Sequence, residues 1–213
     1  MSKKWVIILS VMLIFLAGFA MIGPVMSNVE QPKYQLISTQ QNIEVREYEP
    51  MIIAEVQVNG KREEAISQGF RLLADYIFGN NQAQEKISLS TSVPQQANQK
   101  SNQKIAMTAP VKQQAFDGAW TISFVMPSEY SMETLPRPNN QVVSLKKVPS
   151  KRYVVIRFSG MSSNSNITQH EKELAQYLFK QQIPVVAPPT YAFYNPPMTL
   201  PLLRRNEIML EIE

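Results

Sequence analysis

The stretch Val58-Asn-Gly-Lys-Arg-Glu-Glu-Ala-Ile-Ser-Gln-Gly-Phe-Arg-Leu-Leu-Ala-Asp-Tyr-Ile-Phe78 has a shortened echo further along this chain. Its opening, Val58-Asn-Gly60, matches Phe158-Ser-Gly160. Its close, Leu72-Leu-Ala-Asp-Tyr-Ile-Phe78, resembles Leu174-Ala-Gln-Tyr-Leu-Phe179. An offset of about 100 residues is one duplication and not a solenoid. Within the first copy Ile66, Phe70, Leu73 and Ile77 recur at helical spacing, and Ala65, Gly69, Leu72 and Tyr76 widen that face. Glu64, Ser67, Gln68, Arg71 and Asp75 sit opposite. The spacing predicts a helix from about Lys61 to Phe78, ended by Gly79-Asn-Asn81. The second copy predicts a helix from about Ile167 to Gln182, with Ile167, Leu174, Tyr177 and Leu178 as its apolar stripe and Pro184 as its stop.

Strand-like stretches flank both helices. Ile43–Tyr48 and Met51–Val58 precede the first, and Val142–Val148 and Tyr153–Phe158 precede the second. Ile87–Val93 and Lys104–Val111 follow the first, and Thr190–Tyr194 and Asn206–Ile212 follow the second. Trp120–Met126 alternates and reads as a central strand. Two β-β-α-β units can join their strands into one curved or barrel-like sheet with both helices outside. The pseudo-repeats are expected at about 34–113 and 119–213, within a domain spanning 34–213. Pro94–Gln103 is polar and aperiodic, and Met161–Asn166 is a second polar stretch, so both read as loops.

Composition narrows the classes. The 213 residues hold one good-sized domain, with 44% hydrophobic and 18% charged residues, as in ordinary globular chains. There is no cysteine, which excludes disulfides and thiolate metal sites. The formal charge is +4; without Lys3 and Lys4 it is 19 basic against 17 acidic residues, or +2. That is a weak footprint for nucleic acid, and none is expected as a partner. The densest basic stretch, Lys146-Lys-Val-Pro-Ser-Lys-Arg152, reads as a solvated hairpin turn.

Trp5 to Met26 is apolar almost throughout and follows Lys3 and Lys4. As a helix it spans about 30 Å, enough for a hydrocarbon core. Residues 1–27 are therefore expected to be a membrane anchor or a signal segment, and 28–33 a short tether. The length favours an uncleaved anchor, with the domain on the outer, periplasmic side of the inner membrane. Cleavage would release it to the periplasm.

Three segments end strand-like runs at proline: Lys104-Ile-Ala-Met-Thr-Ala-Pro-Val111, Phe124-Val-Met-Pro-Ser-Glu-Tyr130 running to Leu135-Pro-Arg-Pro138, and Tyr194-Asn-Pro-Pro-Met-Thr-Leu-Pro-Leu-Leu-Arg-Arg-Asn-Glu-Ile208. Proline lacks an N–H and fixes φ, so it stops a strand at a defined place. Three such stops, each beside Met or an aromatic, suggest strand ends around an apolar opening. Met107, Met126 and Met198 lie at such ends, and methionine adapts to irregular guests. These segments resemble the signature stretches of the SOUL, or haem-binding-protein, family. Asn195-Pro-Pro with Arg204-Arg-Asn-Glu207 and Ile105-Ala-Met-Thr-Ala-Pro110 carry the likeness most specifically.

The resemblance covers about residues 33 to 213 and implies an α+β fold: a distorted antiparallel barrel with two outer helices. It implies non-covalent binding of haem or a related tetrapyrrole in a shallow apolar cleft. Carried onto this chain, that cleft would use Ile66, Phe70, Leu73, Ala74 and Ile77, with Met198 and Leu200 from the C-terminal motif. Arg71, Arg204 or Arg205 could pair with a propionate, since arginine's planar fork suits a carboxylate. A structural role for Arg204 and Arg205, clamping carbonyls or Glu207, is the competing reading. This chain departs from some relatives at Ser67, Asp75 and Thr199, where they carry basic residues. His170 is the only histidine and the one candidate for an axial iron ligand. A solvated or capping role is the alternative.

Catalytic patterns are lacking. No Gly-x-Ser-x-Gly elbow, phosphate loop or clustered metal-ligand motif occurs. A non-enzymatic binder is therefore expected. An interaction module or a carrier of another amphipathic molecule, such as a lipid or quinone, is the alternative. An enzyme would need a carboxylate with a raised pKa, and Glu129 and Glu207 are the ones to inspect.

Overall fold

The computed structural model describes residues 28–84 and 102–213. The expected N-terminal apolar helix, the strand at 87–93 and most of the 94–103 loop lie outside the described residues. No helix among the described residues is long and apolar enough to cross a membrane.

Strands β1 (Tyr34–Gln40), β2 (Ile43–Tyr48) and β3 (Met51–Asn59) lead into helix α1 (Arg62–Ile77). Then come β4 (Asn81–Gln82), β5 (Val111–Phe116), β6 (Ala119–Val125), β7 (Arg137–Pro138), β8 (Ser144–Val148) and β9 (Lys151–Phe158). Helix α2 (Asn164–Gln181), β10 (Thr190–Phe193), a short 3-10 turn (Pro201–Leu203) and β11 (Asn206–Ile212) complete the chain. Nine strands form one antiparallel sheet, ordered β1-β2-β9-β11-β10-β5-β6-β3-β8 and curled as a half-barrel. The fold is α+β, with β4 and β7 as a small separate pair. Trp120–Met126 is central, as its alternation predicts: β6 lies between β5 and β3.

Apart from β1 at one edge, the strand order is symmetric about the β5–β10 pair. On one side β3 follows β6, and on the other β9 follows β11. β3 and β9 lead into the two helices, and each pairs with the strand that precedes the other: β2 pairs with β9 and β8 with β3. β2 and β8 thus each lie beside the strand that leads into the other helix.

Both helices cover one face. Ala65, Gly69, Leu73, Tyr76 and Ile77 of α1 are buried, and the apolar ones join Val56, Ile122 and Phe124 in one core cluster. Ile167, Leu174 and Leu178 of α2 pack with Val154, Ile156 and Ile208 in a second. Burying such side chains contributes about 1.5–3 kcal/mol each. Gly69 is required by contact: a Cβ there would lie 2.8 Å from Ile122 Cδ1.

Two sequence expectations shift. Helix α2 begins at Asn164, three residues early, because Ser163 Oγ accepts from Asn166 N and caps it. Residues 104–110 form no strand. Their backbone donors go elsewhere, Ile105 N to Ile77 O and Ala109 N to Glu30 O, and Pro110 has none to give.

Candidate functional site

Two of the three proline-stopped segments meet at one place. Thr108 Oγ1 donates to Val125 O at 2.5 Å, tying the first segment to the second. Met126 N donates to Ile52 O at 2.8 Å, so the second turns away over the start of β3. Beyond that turn opens a cleft of about 720 Å3, within the ~300–1,000 Å3 usual for small-molecule sites. Met51, Ile52, Val125, Pro127, Tyr130 and Val148 give it apolar and aromatic walls. Lys33, Lys147, Glu30 and Glu49 bring charge to the same opening.

Residues 28–33, read as a tether, run along this cleft. Glu30 O accepts from Ala109 N at 2.9 Å, Glu30 Oε1 from Ser128 N at 2.8 Å, and Lys33 O from Glu49 N at 3.1 Å. Val29 packs against the cluster of Tyr48, Ala109, Val155, Ala192, Tyr194 and Met209.

The residues carried over from the family resemblance divide into groups. Leu73 and Ile77 are sealed in the core, at 0% and 1% exposure, and present no surface to a guest. Ile66 and Ala74 are half-buried, while Phe70, Arg71, Met198 and Leu200 are exposed. Phe70 packs edge-on against Phe124, with centroids 5.4 Å apart. Arg204 is turned inward on its own loop: Nε donates to Thr199 O at 2.8 Å and Nη2 to Pro197 O. Arg205 holds Glu207 Oε1 through Nε at 2.9 Å and lies 3.8 Å from the Tyr194 ring centroid. The two arginines therefore brace the C-terminal motif, which is the structural alternative. That loop is fastened beside α2, where Gly160 N donates to Pro201 O at 2.8 Å.

His170 stacks on Phe158 at 4.1 Å between centroids, with 13° between planes. Its Nδ1 lies 2.8 Å from Asn166 O, so Nδ1 carries the proton and donates. Among the described residues no cluster of metal-ligating side chains occurs.

Of the two carboxylates singled out, Glu129 is exposed and Glu207 is fully buried. Burial would raise the Glu207 carboxyl. Hydrogen bonds from Arg46, the charges of Arg46 and Arg205, and a bond from Tyr194 overcome it and hold the group below the usual range. A buried anion held this firmly is no general acid.

Two inward residues carry no sequence signal. Arg62 lies 5.6–6.0 Å over the rings of Trp120, Tyr191 and Phe193, and its buried Nε has no hydrogen-bond partner among the described residues. It joins the helix starts, with Nη1 3.3 Å from Ser162 O. Lys112 sits mid-strand on the face away from the helices. Periodicity assigns such residues a face but not what they meet across strands.

With fold and cleft in place, comparison with known proteins bears on both. The family described as SOUL heme-binding protein matches residues 29–211, nearly the whole chain. The chain belongs to that family. No curated protein matches it. Among solved structures it is similar to the EcmrR C-terminal domain, with a TM-score of 0.56, 9% identity, and coverage of 84% of this chain and 98% of that one. An uncharacterized conserved protein from Listeria innocua gives 0.53 at 13% identity, covering 83% and 94%. A protein described as a hydrolase from Listeria innocua gives 0.51 at 13% identity, with the same coverages. Identities this low speak for the fold alone.

Proposed function

We propose that the domain binds a tetrapyrrole, haem or a relative, without transforming it, in the 720 Å3 cleft between residues 30–33, 49–52, 125–130 and 147–149. The observation that carries this reading is the convergence of two family signature segments on an opening of the right size. Apolar walls suit a macrocycle, Met51 can adapt to its outline, and Tyr130 can stack on it. The ammonium groups of Lys33 and Lys147 are placed to meet acidic arms at the rim. Among the described residues no clustered ligand set supports a strong axial bond, so binding is expected to be loose. Phe70 on α1 and Met198 and Leu200 on the C-terminal loop, all exposed, are the alternative places for an apolar guest. In this reading residues 1–27 hold the domain outside the inner membrane, supported by Lys3, Lys4 and the apolar run behind them.

An absorbance titration of the full chain with haem tests the reading. A saturable Soret shift is expected. Val148→Asp should weaken it by about tenfold or more, which corresponds to ~1.4 kcal/mol. Phe70→Asp should leave it unchanged. The reverse pattern would move the guest to the α1 face. A free-haem spectrum at micromolar protein would end the proposal, as would a lipid or quinone mass co-purifying in place of a porphyrin.

A further inference from the structure

The helices cover one face of the sheet, and the opposite face forms the inside of the curl. One transverse row on that inner face is charged. In register it reads Glu55 on β3, Ser123 on β6, Lys112 on β5, Ala192 on β10 and Glu207 on β11. Residues directly opposite on paired strands project to the same side, so these five share one face. Strands lie ~4.8 Å apart, which puts Lys112 about 10 Å from the strand of either carboxylate.

Both carboxylates are already engaged. Glu55 Oε1 lies 2.5 Å from Lys146 Nζ, and Glu207 is held by Arg46 and Arg205. Further along β11, Glu211 is paired with Lys151 at 2.7 Å. Among the described residues Lys112 meets no carboxylate within ion-pair distance. Its Nζ rests 3.8 Å from Met51 Sδ and 5.7 Å from the Tyr48 ring centroid. Its row neighbours, Ser123 and Ala192, are too small to fill the space above it. A cavity of about 170 Å3 remains there, with Glu55, Lys151, Thr190 and Glu211 around it and Ile53, Val148 and Met209 as apolar wall.

We propose that this hollow over Lys112 is a binding site for a small aliphatic carboxylate. One unmatched ammonium calls for one negative charge. A dianion such as phosphate would set its second charge against Glu55 and Glu211. The hydroxyls of Ser123 and Thr190 can donate to a carboxylate, and Ile53, Val148 and Met209 suit a short alkyl tail.

Proton linkage agrees with this geometry. Burial pushes the Lys112 amine down to about 8; Glu207 opposes the shift and Lys151 adds to it. A bound carboxylate favours the protonated amine, so binding should hold below about pH 8 and weaken above it. The charged and titratable groups facing Lys112 are Arg46 and Tyr48 on β2, Glu55 on β3, Lys146 on β8, Lys151 and Tyr153 on β9, Glu207 and Glu211 on β11, and Tyr194 just past β10, whose hydroxyl burial holds well above its ordinary value. Tyr48 is pushed up to about 12, chiefly by burial, and Tyr153 is raised too, so both stay neutral through that range.

The probe is sodium propionate, titrated into the full chain carrying 13C-labelled lysine, with propionamide as the uncharged match. Propionate should move the Lys112 Cε resonance saturably, and propionamide should not. Calorimetry should show Lys112→Met losing about tenfold or more in propionate affinity, while Lys112→Arg, which keeps the charge, retains most of it. Equal responses to the acid and the amide would overturn the proposal. So would an equal response to sodium chloride at the same ionic strength, or unchanged affinity in Lys112→Met. None of these readouts depends on haem, so failure here leaves the tetrapyrrole reading standing, and the converse also holds.

Discussion

Arg46 Nη1 and Nη2 each lie 3.0 Å from a carboxylate oxygen of Glu207, 161 positions later in the chain. The pair spans β9, linking β2 to β11, and both side chains are buried, at 1% and 0% exposure. Arg46 Nη1 also donates to the Tyr48 hydroxyl at 2.9 Å, and the Tyr194 hydroxyl donates to Glu207 Oε2 at 2.8 Å. Every strong donor and acceptor in this group is met, the condition under which a buried pair repays its desolvation.

Replacing Glu207 by Gln keeps the shape and leaves Arg46 and Arg205 facing a neutral amide. Stability should fall by about 3–5 kcal/mol, read from the urea midpoint at unchanged slope. The Glu207 carboxyl is held below its unfolded value near 4.5, so its contribution is present above that pH and fades as pH falls through the folded value. Wild type should lose stability through that acid window, and Glu207→Gln should show a flatter acid limb. A loss under about 1 kcal/mol at neutral pH would mean that the pair is merely tolerated.

Lys112 predicts the opposite limb. Its folded value is about 8 against an ordinary 10.5, so the unfolded chain binds the extra proton between them. Stability should therefore rise with pH across that window, by at most about 3 kcal/mol at 1.36 kcal/mol per unit. Lys112→Met should remove the rise and be more stable than wild type at pH 7. Denaturant curves from pH 7 to 10 decide it, and parallel profiles for the two proteins would count against a desolvated amine.

Gly69→Ala tests how tightly α1 sits on the sheet. The added methyl would stand 2.8 Å from both Cδ1 and Cγ1 of Ile122, which is wholly buried on β6. Overpacking costs about 1–3 kcal/mol, offset by about 1 kcal/mol of improved helix propensity. A net loss of up to about 2 kcal/mol is expected, partly recovered in combination with Ile122→Val. Thermal unfolding of the single and double variants gives the comparison, and a stabilised single variant would contradict the close approach.

Helix α1 was legible because its apolar residues keep one period and a glycine ends it. Helix α2 was legible from Ile167 onward, but its first turn holds only Asn and Ser, which carry no stripe. Residues 104–110 looked like a strand because composition reports side chains, and the destination of each N–H is a tertiary fact. The prolines did point to an opening, and two of the three segments line it. The third is fastened by Arg204 and Arg205 to its own carbonyls and to Glu207, a use of arginine indistinguishable in sequence from a propionate clasp. The inner-face row around Lys112 joins five strands, and no local pattern can announce such a register.

The strap at 28–33 ties the cleft to the rest of the domain. It supplies four lining residues, Glu30, Gln31, Pro32 and Lys33, and is held by backbone bonds from Ala109 and Glu49 and by Glu30 Oε1 accepting from Ser128 N. Arg205 Nη1 adds a bond to Gln31 Oε1 at 3.0 Å, so the C-terminal motif also grips it. A chain beginning at Tyr34 loses one wall of the cleft and uncovers the Tyr48–Tyr194 cluster on which Val29 packs. Exposed bonds of this kind contribute about 0.5–1.5 kcal/mol each and water replaces part of them, so the shortened chain should lose about 1–3 kcal/mol and still fold. Haem should then leave faster, because one side of its enclosure is gone while the apolar floor remains. Stopped-flow transfer of haem to an excess of apomyoglobin, from chains beginning at Asn28 and at Tyr34, measures that rate directly. Equal rates would place the guest away from the strap, and the exposed side chains of Phe70, Met198 and Leu200 would be the next to probe.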